Sequence, residues 1–515
     1  MENNVLILGA IFIPLAGAIT TLIFSRNNRA QRYIALGASI VAWLCSIGVL
    51  LMTLDEGPQT YRMGDWTPPF GIVMVADLLS ALFVVMSSTV LLGGILYAVH
   101  CRDKCVTHPA FMALFLSMET GLLGAFYTGD IFTLFVFMEL LVLSSVSLVA
   151  ISDNRLGLEA AIKYIFISSM GTLFLLLGIA AIYATFGTLN FADLSRQLST
   201  GERPLLARPA AVMLMGAFLL KSAVFPFHWW QPDFHTTAPT PVHAVLSSVV
   251  VKIGVYGMIR MTTLLFIEEA DLIRDWLLVL GVVSIFFGSL GALQTYDGKR
   301  MLAYSTFGQI GFILLGIAWG TPLALVAAIV YAFNHAFIKS AMLMLMGVVS
   351  SRTKTKTARF SEIAGVGTKM PWMIGALYLL GGMALAGVPP MNGFISKLAL
   401  VRSGIHAEQW VSVGLAVGAG LITLIYTSRT WQHVFQRKPD ETTVKLKDTG
   451  GDSMLAPGLL IGACIVLGLY ATPLYDVAEQ TVDQLRNPQN YIEAVDPALW
   501  NGDRYASGQP DIFGG

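Results

Sequence analysis

The sequence predicts an all-α polytopic membrane protein of about fourteen transmembrane helices, and three observations predict it. Of the 515 residues, 55% are hydrophobic and 12% charged, against about 25% charged in an ordinary soluble domain. Apolar stretches of roughly 18–25 residues recur with short polar gaps, and that length crosses a bilayer core as a helix. Two of the stretches are broken around proline, each beside a lysine.

The spans are expected near 4–24, 32–53, 73–99, 110–127, 130–151, 162–186, 209–230, 241–266, 272–293, 302–319, 322–349, 371–402, 409–431 and 453–474. Only Thr128-Gly129-Asp130 separates the fourth from the fifth. The breaks fall in the seventh span, at Pro226, and in the twelfth, at Pro389, Pro390, Asn392 and Gly393. Unwound backbone at membrane depth is tolerated where it lines a cavity, and breaks at corresponding places of two halves are the trace of inverted repeats. Spans 4–8 and 9–13 are therefore read as two inverted five-helix repeats, about 110–266 and about 272–431, within one transmembrane domain over 1–475. Residues 476–515 form a polar tail, with a short surface helix expected through Val477–Leu485 and an extended or disordered end after it. The run MENNVLILGAIFIPLAGAITTLIF has no basic segment before it and is expected to be a retained span, not a cleaved signal.

Formal net charge is zero, which suggests no polyanionic partner and no nucleic acid. Lysine and arginine set the orientation. With the N-terminus outside, the inner loops hold nineteen basic residues, among them Arg26, Arg102, Lys299, Lys356 and Arg437. The outer loops, outer helix ends and tail hold nine: Arg62, Arg196, Arg203, Arg208, Arg260, Arg274, Arg402, Arg486 and Arg504. Both termini are thus expected on the outer side. Cys45, Cys101, Cys105 and Cys464 lack metal-ligand spacing apart from a weak C-x3-C, and are read as inert thiols.

Four lysines remain, Lys221, Lys252, Lys339 and Lys397, and all lie inside hydrophobic spans. A lysine at the bilayer centre costs on the order of 3 kcal/mol on insertion scales, so four are not an accident of composition. Burial disfavours the charged form of a lysine, which lets such a group gain and lose a proton during turnover. For Lys252, near its helix start, snorkelling to the headgroups is the competing reading. Glu139 in IFTLFVFMELLVLSSV is the clearest acidic counterpart, with Lys221 its natural partner, either as a switch or as a static ion pair. His335 and Lys339 in FNHAFIKSAML stand four apart, on one face of a helix, and read as a relay. Two weaker candidates complete the set. Glu119 in LSMETGLL is a second membrane acid, and His243 shares a span with Lys252 but sits about 13 Å from it by helical rise. Asp77, at the start of a span, reads as a helix-end residue.

No nucleotide-binding loop, haem histidine pair, iron–sulfur cysteine set or nucleophile motif is present in the sequence, so no cofactor or metal is expected. The segments TGDIFTLFVFMELLVL, LLKSAVFPFHWWQPDFHTTAPTPVHAVLSSVVVKIGVYGMIR, KRMLAYSTFGQIGFILLG, FNHAFIKSAMLMLMG and GVPPMNGFISK carry a resemblance. In order and spacing they resemble the antiporter-like subunits shared by Mrp-type cation/proton antiporters, respiratory complex I and membrane-bound hydrogenases. WTPPFGIVMVADLLSALFV and LRNPQNYIEAV look most like the D-type branch of the Mrp antiporters. The resemblance implies fourteen helices, broken seventh and twelfth helices and inverted repeats. It also implies that Glu139 is the fifth-helix glutamate, Lys221 the seventh-helix lysine and Lys252 the eighth-helix lysine. His335 and Lys339 would be the eleventh-helix positions and Lys397 the twelfth-helix lysine. It implies a prokaryotic inner-membrane complex, with neighbouring membrane subunits packed sideways and protons carried along a hydrated axis. Glu119 and His243 inherit no role from it.

The leading expectation is therefore a proton-translocating subunit of a multisubunit Na+/H+ antiporter, with protons and Na+ as candidate cargo. One alternative is the same pump module in a quinone reductase or membrane-bound hydrogenase. Another is a scaffold whose charges only hold subunits together.

Overall fold

The computed structural model describes residues 4–199, 204–354, 356–438, 446 and 450–496. Arg203, Lys445, Lys447 and Arg504, used above for orientation, lie outside the described residues, as does the tail beyond residue 496. The chain begins with α1 (Val5–Ile23) and α2 (Asn28–Glu56). An antiparallel hairpin follows, β1 (Gln59–Arg62) and β2 (Val73–Ala76), in which Gln59 faces Ala76 and Arg62 faces Val73. The third span was expected from residue 73, but 73–76 is strand. Asp77 caps α3 (Leu78–Val99), accepting from Ser80 N at 3.0 Å, and so a single residue separates the strand from the helix.

Next come α4 (Phe111–Tyr127), α5 (Ile131–Ala150), α6 (Arg155–Phe186) and the short amphipathic α7 (Phe191–Leu198). The three residues between α4 and α5 suffice because Asp130 accepts from Thr133 N at 2.7 Å and starts the new helix at once. The seventh span is broken as expected: α8 (Ala207–Lys221) stops at Lys221, and the chain resumes helix only at α9 (Gln231–Thr237). The eighth span was expected to be continuous. It is α10 (Thr240–Val245), a π-helical turn at Leu246–Val250, α11 (Lys252–Arg260) and a second π turn at Met261–Leu265.

Long helices α12 (Ala270–Gln294), α13 (Gly298–Ala318) and α14 (Pro322–Ser351) follow, then the single turn α15 (Phe360–Ile363). The twelfth span is broken between α16 (Trp372–Ala386) and α17 (Asn392–His406). Asn392 and Gly393, read as part of that break, instead open α17. The reason is close packing: a side chain at Gly393 would strike Ala384 O of α16 at 1.8 Å. Gly387 ends α16 at φ +82°, in the left-handed region that favours glycine. The chain closes with α18 (Trp410–Trp431), α19 (Leu455–Leu469), α20 (Thr472–Leu485) and α21 (Pro488–Val495).

The tail departs from expectation in two ways. α20 starts at Thr472 and turns 77° from α19, and helix α21 stands where extended chain was expected. Both are tied down: Gln484 accepts from Leu78 N at 2.8 Å, and Arg62 donates to Val495 O at 3.1 Å. Tertiary contacts thus order a segment that its polarity alone would leave loose.

Among the described residues, ten helices are long and apolar enough to cross a membrane, or eleven if the bent pair α19–α20 is one span. The burial pattern places them. α10–α11, α13 and α14 lie almost wholly inside the bundle, while α1, α2, α6, α12 and α18 turn large apolar side chains outward, Leu44, Phe166, Leu272 and Leu421 among them. A solvated protein of this composition would bury those faces, whereas a bilayer covers them.

Candidate functional site

Three of the four membrane lysines lie within the bundle on helices that contact one another. α11 delivers Lys252 immediately after a π turn, and its Nζ stands 2.7 Å from Nδ1 of His335 on α14. Both groups are shut away from solvent, as is Lys339 one turn further along α14. Lys339 Nζ donates to Leu302 O of α13 at 2.9 Å. A second polar line leaves the same carbonyl: Thr306 Oγ1 donates to Leu302 O at 3.0 Å and meets Ser247 Oγ of the π turn at 2.5 Å. A neutral imidazole can take a proton from an ammonium at hydrogen-bond distance, so the Lys252–His335 contact is built to share or pass one.

Lys221 is the last residue of α8 and is buried. The expected ion pair with Glu139 is not formed. Lys221 Nζ donates to Ser168 O at 3.4 Å, while Glu139 accepts from Thr172 Oγ1 at 2.5 Å. Ser168 and Thr172 are one turn apart on α6, and Ser168 O, 3.1 Å from Thr172 Oγ1, is the alternative acceptor for the same hydroxyl proton. The acid and the ammonium are therefore joined through one turn of α6. The physical reason is that α6 packs between α5 and α8 and offers both groups a closer partner. A cavity of about 10 Å³, lined by Lys221, Ser168, Tyr164, Trp230 and Val250, lies beside the lysine, at the lower limit for a single water.

Lys397 lies on α17 and is half-buried, and its Nζ donates to Ala386 O at 2.7 Å over the face of Phe312. Ala386 is the final residue of α16, so its carbonyl has no partner within its own helix and sits at the negative end of the helix dipole. The break in the twelfth span thus supplies the acceptor that the lysine needs. Between Lys397 and the α14 cluster stand buried polar groups. Asn334 donates to Ser396 Oγ at 2.9 Å, Asn392 donates to Asn334 Oδ1 at 3.1 Å, and Tyr331 donates to Gln309 Oε1 at 2.5 Å.

The structure separates the two weaker candidates. His243 is fully buried on α10, between Thr240 and Ser247. Thr240 lines a cavity of about 250 Å³ with Arg102, Asp103, Lys299, Lys356 and Asp452; a neighbouring cavity of about 630 Å³ shares Lys299 and Lys356. His243 therefore lies between a water-accessible vestibule and the Ser247–Thr306 contact. Glu119 is not part of this arrangement: it meets Ser39 of α2 at 2.9 Å, in a different part of the bundle.

Thr172, Ser168, Ser247, Thr306, Asn334 and Ser396 were not singled out from the sequence. For Asn334, Ser396 and Ser247 the available signal was placement beside or one turn from His335, Lys397 and His243; for Ser168, Thr172 and Thr306 the sequence carries no such signal. Asp77 does cap a helix as expected, but it also holds Arg260 in a bidentate ion pair, with hydrogen bonds of 2.7 and 2.5 Å. Outside the spans, burial pushes the Cys101 thiol up and the Cys105 thiol up to about 11, in keeping with inert cysteines.

A family model described as NADH:quinone oxidoreductase/Mrp antiporter, TM, matches residues 128–423, from the start of α5 into α18. The chain belongs to that family. It is a multi-pass membrane protein of antiporter-like type. One relative, the D subunit of the Na(+)/H(+) antiporter of Alkalihalophilus pseudofirmus, is 30% identical over 96% of this chain and 99% of its own length. Another, the N subunit of the NADH-quinone oxidoreductase of Desulforudis audaxviator, is 33% identical over 89% of this chain and 95% of its own. Among solved structures, the Mrp complex from Dietzia sp. DQ12-45-1b shares the fold. Its TM-score is 0.86 at 24% identity, with 96% of this chain and 99% of that chain covered.

Proposed function

We propose that this chain is the proton-translocating, antiporter-like subunit of a multisubunit Na+/H+ antiporter complex in a prokaryotic cytoplasmic membrane. The observation that carries the reading is the fully buried Lys252–His335 contact of 2.7 Å, with Lys339 on the next turn of the same helix as His335. Among the described residues no acid pins these cations, so a proton can be gained or lost without breaking an ion pair. A proton entering the vestibule at Thr240 passes His243, Ser247 and Thr306 to Lys339, Lys252 and His335. It continues by Asn334 and Ser396 to Lys397. Glu139, acting on Lys221 through Thr172 and Ser168, sets when the row loads.

In this reading the ten long helices, α4, broken α8–α9, broken α16–α17 and bent α19–α20 make fourteen spans. The repeats are spans 4–8 and 9–13. The support is a shared packing pattern: Gly121 and Gly124 of α4 meet Phe137 of α5, and Gly288 and Gly291 of α12 meet Tyr304 of α13, at the same spacings. Asp130 and Asp297 cap the second helix of each repeat. The vestibule faces the cytoplasm, both termini face outward, and the exposed apolar faces accept lipid and neighbouring subunits.

Substituting Lys221 or Glu139 by alanine tests the reading in vesicles from antiporter-deficient cells. Sodium-driven pH change should be lost while the assembled complex stays intact, and unchanged exchange would sink it. A second reading, a proton-pumping component of a quinone reductase, is favoured by the relatedness to the Desulforudis audaxviator protein. It predicts co-purification with hydrophilic, cluster-bearing subunits.

A further inference from the structure

Glu119 is fully buried near the middle of α4, apart from the row. Its Oε1 accepts from Ser39 Oγ at 2.9 Å, and its Oε2 has no hydrogen-bond partner among the described residues. The titratable groups of the surrounding elements are exposed or placed elsewhere. Arg29, Tyr33, Asp55 and Glu56 of α2 are exposed. α1 and β2 have none. On α2, Cys45 lies by Tyr127 near the far end of α4, and Arg32 donates to Val99 O. Tyr97 of α3 donates to Asp452, and Glu139 of α5 accepts from Thr172. On α11, Lys252 meets His335, Tyr256 donates to Phe126 O and Arg260 holds Asp77. Lys104 and Cys105 stand beyond the start of α4.

A bare carboxylate in such a place is costly, because one hydroxyl repays little of its lost hydration. A dehydrated metal cation would need a shell of oxygens, and among the described residues only Ser39 Oγ stands at hydrogen-bond distance from the Glu119 carboxyl. A proton on Oε2 removes the charge and needs no further ligand. We propose that Glu119, seated on Ser39, is a second proton-binding site in the α1–α4 part of the bundle, off the central row. Its position also gives it a mechanical link. Gly121, two residues on, is where α4 touches the α5 backbone, two residues from Glu139. That loading of Glu119 tunes exchange rests on the function proposed above; that it binds a proton does not.

Infrared spectroscopy of the intact complex in lipid tests the site. The wild-type protein should show a protonated carboxyl C=O band that is lost in Glu119→Gln, a change that keeps an oxygen for Ser39. Identical spectra would overturn the proposal. Carbodiimide labelling of the unmodified complex gives an independent reading, because the reagent adds to a protonated buried carboxyl as an N-acylurea without a leaving group. Mass spectrometry should place an adduct on Glu119. Protection of that residue by sodium chloride, but not by choline chloride, would reassign the site to a metal cation and overturn it. If Lys221→Ala leaves exchange intact, the functional reading falls while the carboxyl band still decides the site.

Discussion

At one end of α11, Arg260 grips Asp77 through two hydrogen bonds, with Tyr256 and the ring of Tyr491 completing its shell. At the other end, Lys252 has an imidazole as its one hydrogen-bond partner among the described residues. Two turns of one helix separate a cation saturated by a carboxylate from a cation with no described acid beside it. Both are buried. The difference teaches what the burial is for. A fully paired charge is inexpensive to keep and hard to move, so the Asp77–Arg260 pair fastens α3, α11 and the tail helix together. A cation with a histidine, and no described carboxylate, at hydrogen-bond distance can pass its proton without breaking an ion pair, which suits a carrier.

The largest effect that can break this comparison is on stability. Replacing Arg260 by alanine leaves Asp77 buried and unpaired, and should cost about 3–5 kcal/mol. It should appear as a lower melting temperature and poor assembly in detergent. Lys252→Ala should do the reverse: melting unchanged or raised, because a buried cation is replaced by an apolar group, but exchange reduced about 10²-fold, in the range of a lost acid–base group. If Lys252→Ala unfolds the protein while Arg260→Ala does not, the distinction between fastener and carrier is wrong.

A smaller effect separates the broken helices from the pair. Gly387→Ala should cost about 1–2 kcal/mol for its left-handed backbone. The new methyl would also press on Lys397 Cδ at 2.6 Å and displace Nζ from Ala386 O. Exchange should fall with most of the folded protein retained, and full activity would remove the Ala386 carbonyl from the mechanism. The smallest effect concerns a partly buried thiol. In a variant retaining only Cys105, maleimide labelling should be slow near neutral pH and accelerate as the pH climbs toward about 11, since burial holds the thiol protonated. Labelling that saturates near the ordinary thiol range would show that Cys105 is solvated.

The membrane lysines were legible because a charge in an apolar run is costly wherever the run folds, and composition alone exposes it. So were both interruptions, since Pro226, Pro389 and Pro390 cannot continue a helix ladder. The partners were not legible. Glu139 and Lys221 looked like an ion pair because they are the obvious opposite charges, yet α6 intervenes with Thr172 and Ser168. Asp77 read correctly as a cap, but nothing local points to Arg260, 183 positions away. The π turn before Lys252 and the ordering of the tail were equally hidden, because both arise where distant segments pack.

The sequence by itself determined the class of molecule, the four lysines set in apolar spans and the places where helices must break. These follow from hydration and backbone chemistry acting residue by residue. Only the tertiary structure decided which lysine meets the histidine, which acid stands alone at Ser39 and which cation is locked by Asp77. Hydrogen bonds act over a few ångströms, and folding alone brings α11 to α14, α2 to α4 and α3 to α11.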